Sequence, residues 1–162
     1  MIAIKDLVTD QLETTLLRQD WQSQPSLSES VEGLSAAAAG WKPAPRRHSI
    51  WQIVRHLIRW KRGILQALDG DPPERAELEG GDWLEISGEE SAWRADVEAL
   101  LRLSQDLLAR ARAMDEAELS RPVVWYRGWT KTQPVAVRLL RRATHDSYHA
   151  GQIRQIRALQ ER

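Results

Sequence analysis

The sequence predicts an all-α protein: a four-helix bundle with a short extra helix between helices one and two. Apolar residues recur at helical spacing in four separate stretches, and no stretch shows strand-like alternation next to hairpin turns. The length of 162 residues suits one domain, because a chain of this size buries roughly 70% of its extended surface on folding. We therefore expect residues 1–162 to form a single bundle domain.

The first long helix is predicted from about Ile4 to Trp21, and Pro25 follows it. Its predicted apolar side consists of Leu7, Leu12, Leu16 and Leu17. A shorter helix is predicted from Ser28 to Ala38, because Ser28 can act as an N-cap and apolar residues follow at helical spacing.

Three further long helices follow along the chain. The second is predicted from an N-cap at Ser49 to about Asp69, where Gly70 ends it. Residues Asp71 to Gly88 are rich in glycine and proline and predict a long surface connection. The third helix is predicted from about Glu89 to Met114, and the last from Gln133 or Pro134 to about Gln160.

The composition excludes several classes of function. Lys plus Arg and Asp plus Glu each number 23, so no overall positive field favours nucleic acid or an anionic membrane. The absence of cysteine excludes a disulfide framework, thiolate metal ligands and a catalytic thiol. No apolar run has the length of a signal peptide or a membrane span, so we expect a cytoplasmic protein.

Histidines interrupt the apolar faces of two predicted helices. His145 and His149 lie one turn apart on the inward face of the last helix, in one sector with Gln152 and Ile156. The other face is predicted to meet solvent with Ala143, Ser147, Ala150, Arg154 and Arg157. His56 lies at the edge of the apolar stripe of the second helix, so packing of these two helices brings three imidazoles together. Three ligands leave a coordination position open, which is typical of catalytic metal sites.

Each of these histidines also has a simpler interpretation when it is taken alone. A single histidine that faces a core more often forms a hydrogen bond with a carbonyl or an acid than with a metal. The combination of three histidines on two helices favours a metal ion. The fourth histidine, His48, lies beside two arginines in a polar loop and is expected to be exposed to solvent.

Residues near the histidines are candidates for the lining of a pocket. These candidates are Gln52, Trp60, Gln152, Arg138 and Arg141. Arg138, Arg141 and Arg142 share roughly one side of the last helix with His145, and one or two of them can bind a carboxylate at the mouth of a pocket. The alternative is that they pair with acids of a neighbouring helix. Asp146 is directed about 100° away from His145, which suits an interhelical partner rather than a metal ligand.

Two motifs contain the candidate histidines: H-S-I-W-Q-I-V-R-H-L-I-R-W at 48–60 and H-D-S-Y-H-A-G-Q-I at 145–153. Three others are G-W-K-P-A-P at 40–45, G-D-W at 81–83 and A-W-R-A-D-V-E-A-L at 92–100. These motifs resemble the DinB/YfiT-like family of four-helix-bundle metalloproteins, and the resemblance extends over nearly the whole chain. The resemblance implies that His56, His145 and His149 surround a divalent ion such as zinc or nickel, commonly in a homodimer.

The resemblance also implies classes of activity. Members include thiol-S-transferases that use bacillithiol, mycothiol or related thiols, a thiol-dependent maleylpyruvate isomerase, and proteins described as metal-dependent hydrolases. Gln52 stands where these relatives often have glutamate, which removes a possible general base for hydrolysis.

The sequence thus predicts a divalent-metal-binding bundle that acts as a thiol-S-transferase on a small-molecule substrate, with a low-molecular-weight thiol as co-substrate. Two alternatives remain open at this point. The same ligands can activate water in a hydrolase, or the bundle can be a non-catalytic stress protein that binds a metal or another ligand.

Overall fold

The computed structural model describes residues 2–17 and 25–161. Its helices are α1 (Ile4–Leu16), α2 (Leu27–Val31), α3 (Ala36–Gly40), α4 (Ile50–Leu68), α5 (Arg75–Gly80), α6 (Glu90–Ala113), α7 (Glu116–Ser120) and α8 (Val135–Gln160). Two short strands, β1 (Pro122–Val123) and β2 (Gln133–Pro134), form an antiparallel pair immediately before α8. The predicted all-α class is confirmed.

The four long helices form the bundle. Helix α1 packs against α6 and α8, and α4 packs against the same two helices. Among the described residues, no helix combines the length and the apolar character needed to cross a membrane.

The buried face of α1 differs from the predicted one. Val8, Leu12 and Leu16 are buried, whereas Leu7 and Leu17 are 48% and 46% exposed. The i, i+4, i+8 spacing of the buried residues aligns them towards α6 and α8, and each exposed leucine is rotated about 100° from this stripe. The helix ends at Leu16; its predicted continuation to Trp21 lies outside the described residues.

The single short helix predicted from Ser28 to Ala38 is wrong, because two helices occupy this stretch. Ser26, not Ser28, caps α2 and forms a capping box with Glu29. Ser35 caps α3. Between the two helices Gly33 has a φ of +70°, a backbone conformation that glycine adopts without steric cost.

The connection predicted over residues 71–88 contains the short helix α5. Its Leu78 is buried against α4 at Gly63, where an added Cβ would lie only 3.0 Å from Leu78 Cδ1. This close approach holds α5 on α4 and brings residues 81–84 across the middle of that helix.

The predicted solvent-facing side of α8 is partly wrong. Ala143 and Ala150 are buried, because α8 packs against α1 and α2 on that side as well as against α4. Small residues allow this close packing. Arg154 is exposed, and the partly buried Arg157 donates hydrogen bonds to backbone carbonyls around α2.

Most of the buried apolar residues that the structure describes form two clusters at different heights of the bundle. One cluster contains the C-terminal half of α4 and the N-terminal half of α8, and the other contains the opposite halves of the two helices. Lys61 on α4 and Asp146 on α8 lie between the clusters, and both are buried. The middle of the bundle is therefore a polar layer.

Stability of α4 is expected to depend on its N-cap. The Ser49 hydroxyl accepts a hydrogen bond from Gln52 N, and Gln52 Oε1 accepts one from Ser49 N. We expect Ser49→Ala to lower the free energy of unfolding by about 1 kcal/mol, because Gln52 N loses the hydroxyl acceptor of this buried capping box. Urea unfolding measures the change. Ser91→Ala on the exposed surface of α6 is the control and should change stability by less than about 0.5 kcal/mol.

Candidate metal centre

Three histidines from two helices meet in the polar layer. His56 on α4 and His149 on α8 are 8% and 3% exposed, and His145 is partly buried. His145 Nε2 lies 3.2 Å from His56 Nε2 and 3.1 Å from His149 Nε2. We call these three residues the triad; their candidate ligand atoms all lie within 4.8 Å of one another.

The spacing of the triad nitrogens fits a single metal ion. Ligands at the usual Zn–N distance of about 2.0–2.1 Å in a tetrahedral arrangement lie about 3.3 Å apart. The observed separations of 3.1 and 3.2 Å are close to this value. Imidazole nitrogens suit zinc, nickel, copper and iron, so the donor set alone does not select one of these metals.

The other ring nitrogens of two triad members have polar neighbours. His56 Nδ1 lies 3.1 Å from Asp82 Oδ2, and His149 Nδ1 lies 2.7 Å from Gln152 Oε1. Such acceptors favour a proton on Nδ1 and leave the lone pair of Nε2 directed at the centre. Metal-binding histidines are commonly oriented in this way.

The environment also keeps these imidazoles neutral. Burial lowers the pKa of His56 to about 4, although the neighbouring Asp82 carboxylate opposes the shift. Burial likewise lowers the pKa of His149 to about 4, against the effect of its hydrogen bond with Gln152. Neutral imidazole is the form that binds a metal ion.

The residues between α5 and α6 supply part of the centre, which the sequence reasoning missed. We call residues Gly81–Leu84 the Asp82 loop. Asp82 Oδ2 accepts a hydrogen bond of 2.8 Å from Trp60 Nε1 besides its contact with His56. The Trp83 ring stacks on His56 with a centroid distance of 4.4 Å and an interplanar angle of 14°. The only sequence signal for these residues was the G-D-W motif.

Gln52 has a structural position that its sequence context did not reveal. Besides capping α4, its Nε2 donates hydrogen bonds of 3.1 Å to the carbonyls of Trp83 and Leu84. Gln52 therefore holds the Asp82 loop against the first turn of α4.

Other predicted residues surround the triad at different distances. Trp60 has its ring centroid 6.0 Å from that of His56. Gln152 contacts His149 and also donates a hydrogen bond to the exposed Tyr148. The fourth histidine, His48, is exposed and stacks on the outer side of the Trp83 ring at 3.8 Å.

A cavity of about 310 Å³ opens beside two members of the triad. It is lined by His56, Trp60, Ile64, Tyr126, Arg138, Arg141, Arg142 and His145, and we call it the arginine cavity. A second groove of about 370 Å³ runs along α4 on the side of the Asp82 loop and also reaches His56. A larger groove of about 960 Å³ lies between α2 and α6 and has none of the triad in its lining. Of these three, the first two are placed to admit a ligand to the triad.

Asp146 was expected to be an interhelical partner, and it forms a buried ion pair with Lys61 on α4, a residue that the sequence did not single out. Arg142 joins them, with its Nε 3.1 Å from Asp146 Oδ1. Arg141 is exposed at the rim of the arginine cavity.

Comparisons with known proteins agree with this fold. Residues 19–153, which include the triad, match the family described as the DinB superfamily. A similar solved structure is a conserved protein from Enterococcus faecalis with 19% identity and a TM-score of 0.65, and the alignment covers 98% of each chain. At this identity the likeness shows a shared fold. No curated protein matches the sequence.

The role of Gln52 can be tested with Gln52→Glu. We expect the free energy of unfolding to fall by about 1–3 kcal/mol, because the two loop carbonyls lose their donor and face a buried carboxylate. Urea unfolding measures the loss, and Gln105→Glu on the exposed face of α6 is the matched control. Equal stability of the two variants would contradict the structural role of Gln52.

Proposed function

The chain belongs to the DinB superfamily, and from this premise we propose that it binds one divalent metal ion through His56, His145 and His149 and acts as a metal-dependent thiol-S-transferase. Zinc and nickel are the proposed ions. The proposed co-substrate is a low-molecular-weight thiol.

The observation that carries the proposal is the convergence of three Nε2 atoms beside an open cavity. Three protein ligands leave at least one coordination position for a ligand from solution. A divalent ion in this position lowers the pKa of a bound thiol, so that the thiolate is available at neutral pH. The arginine cavity reaches His56 and His145 and has room for a small second substrate.

The residues of the chain have separate tasks in the proposed transfer. Asp82 and Gln152 orient two of the imidazoles, and the rings of Trp60 and Trp83 cover His56. The arginine cavity holds one of the two substrates beside the triad, where thiol and electrophile meet. A carbon–sulfur bond forms, the bond to the leaving group breaks with its electron pair, and the thiol proton passes to solvent.

The neutral, hydrogen-bonded side chain of Gln52 favours thiol transfer over hydrolysis. Hydrolysis at a metal centre is commonly assisted by a carboxylate that removes a proton from water. Gln52 has no carboxylate, and its side chain is already engaged by the backbone of the Asp82 loop and of Ser49.

Metal content provides the first test. We expect about one divalent ion per chain in the wild type, and loss of this ion in His56→Ala, His145→Ala and His149→Ala, because each substitution removes one of three ligands. Asp82→Asn should weaken metal affinity roughly 10- to 100-fold, because it removes a carboxylate that orients His56. Plasma mass spectrometry of protein purified without added metal measures the content.

The matched control is His48→Ala, which removes a histidine outside the triad and should retain the ion. Circular dichroism should show that all variants remain helical. Tight stoichiometric metal in any variant of the triad, or none in the wild type after reconstitution, would refute the three-histidine site.

Transfer activity provides the second test. The metal-loaded protein is mixed with monochlorobimane and a panel of low-molecular-weight thiols, and formation of the fluorescent thioether is followed. We expect catalysis with at least one thiol, a return to the uncatalysed rate in His149→Ala, and unchanged catalysis in His48→Ala, because only the former removes a metal ligand.

An ester such as 4-nitrophenyl acetate is tested in parallel without thiol. Hydrolysis of the ester without any thiol transfer would support the hydrolase alternative. A loaded site with neither activity would support the non-catalytic alternative.

A further inference from the structure

The lining of the arginine cavity carries an excess of positive charge. Arg138, Arg141 and Arg142 contribute to it, and no acidic residue lines it among the residues that the structure describes. The remaining walls are aromatic or aliphatic side chains of Trp60, Tyr126 and Ile64, together with two histidines of the triad.

Arg142 is the most buried of the three arginines and is only partly neutralised. It is 5% exposed, and its Nε lies 3.1 Å from Asp146 Oδ1. The same carboxylate also pairs with Lys61 through its other oxygen, so two buried cations share one anion. Arg142 Nη2 is buried and has no hydrogen-bond partner among the described residues. A buried cation whose charge is not fully balanced by an anion is energetically costly, so binding of a further anion at Arg142 is favoured.

Arg138 is held in place on the same wall. Its Nη2 donates a hydrogen bond to Tyr126 Oη, and its guanidinium carbon lies 5.1 Å from the centroid of the Tyr126 ring. It also lies 5.6 Å from the centroid of a Trp125 ring. Arg138 Nε is buried and lacks a hydrogen-bond partner in the described part of the chain. The aromatic contacts fix the guanidinium before any ligand arrives.

We propose that the arginine cavity is a carboxylate-binding subsite, in which Arg138 and Arg142 hold the carboxylate of a small organic acid whose reacting group points to the triad. This proposal rests on the proposed function, because it names the class of substrate for the same centre. Guanidinium groups match carboxylates in geometry and charge, and the aromatic walls suit an apolar body between carboxylate and reacting group.

The spacing along α8 limits the size of the acid. Arg142 precedes His145 by three residues and Arg138 precedes it by seven, which correspond to about 5 and 10 Å of helix rise. Within a cavity of about 310 Å³, this spacing suits a small acid with about one aromatic ring between its carboxylate and its reacting group. The acid is either the thiol or the electrophile of the proposed transfer.

The subsite is tested by the binding of two ligands that have the same shape but differ in charge. Calorimetry compares 4-methylbenzoate with the neutral 4-methylbenzamide on the full chain, once with its metal and once after chelation. We expect the benzoate to bind roughly 10- to 100-fold more tightly in both states, since charged hydrogen bonds to the arginines distinguish the two ligands. The chelated protein excludes binding of the carboxylate to the metal.

Two variants locate the effect. Arg138→Gln should lower the affinity ratio several-fold, because it removes one of the two guanidinium groups that hold the carboxylate, while affinity for the amide stays unchanged. Arg127→Gln is the matched control, because Arg127 pairs with Asp71 and Glu74 on the surface outside the cavity, and it should keep the wild-type ratio. Equal affinities for acid and amide in the wild type, an unchanged ratio in Arg138→Gln, or no binding of either ligand would overturn the proposal.

Two kinetic arms identify which substrate carries the carboxylate. One uses 4-(bromomethyl)benzoate against its amide as the electrophile; the other uses 4-(mercaptomethyl)benzoate against its amide as the thiol. In the first arm the thiol sulfur attacks the benzylic carbon and bromide leaves with the electron pair. In the second arm the sulfur attacks the carbon of monochlorobimane and chloride leaves with the electron pair. In both arms the thiol proton passes to buffer. Arg138→Gln should raise KM for the acid in one arm and leave KM for the amides unchanged; a rise in neither arm would contradict a role in substrate recognition.

The two sets of measurements fail independently. Selective binding of the benzoate without any transfer would refute the proposed function and keep the subsite. Transfer without discrimination between acid and amide would keep the function and refute the subsite. The chain has no cysteine, so the alkylating electrophiles do not consume a protein thiol.

Discussion

The buried ion pair between Lys61 and Asp146 joins α4 to α8, and the position of every triad member depends on the packing of these two helices. It lies between two apolar clusters, where it interrupts an otherwise hydrophobic interface. Burial lowers the pKa of Lys61 to about 8, and the Asp146 carboxylate partly reverses this shift. Because an unpaired charge is costly in the interior, sliding one helix along the other by a turn would be strongly unfavourable. The ion pair therefore restricts the register at which His56 faces His145 and His149.

The same ion pair connects the scaffold to the arginine cavity. Asp146 lies next to His145 in the sequence but points away from the triad, towards Lys61 and Arg142. The Arg142 side chain thus belongs both to the ionic cluster, through Nε, and to the lining of the cavity. An anion in this cavity would complete the charge balance of the cluster. Ligand recognition and helix packing therefore use one set of charges in this protein.

Local patterns predicted the parts of the structure that depend on local interactions. The N-cap at Ser49, the extent of α4, α6 and α8, and the four-residue spacing of His145 and His149 are all properties of one helix at a time. Features that depend on several elements were missed. Ala143 and Ala150 are too small to show in a hydrophobic pattern, yet they are buried where α8 meets α1 and α2. The contribution of Asp82 depends on the contact of Leu78 in α5 with Gly63 in α4, two residues that are distant from each other in the sequence.

Gln52 shows how a local cap acts on a distant centre. Its backbone and side chain complete the capping box of α4, and its amide group binds two carbonyls of the Asp82 loop. The loop then brings Asp82 to His56 Nδ1 and lays the Trp83 ring on the same imidazole. A glutamate at this position could accept the hydrogen bond of the cap but could not donate to the carbonyls in its ionised form. The amide at residue 52 is therefore matched to this loop, and His56 is oriented from both its own helix and the connection that crosses it.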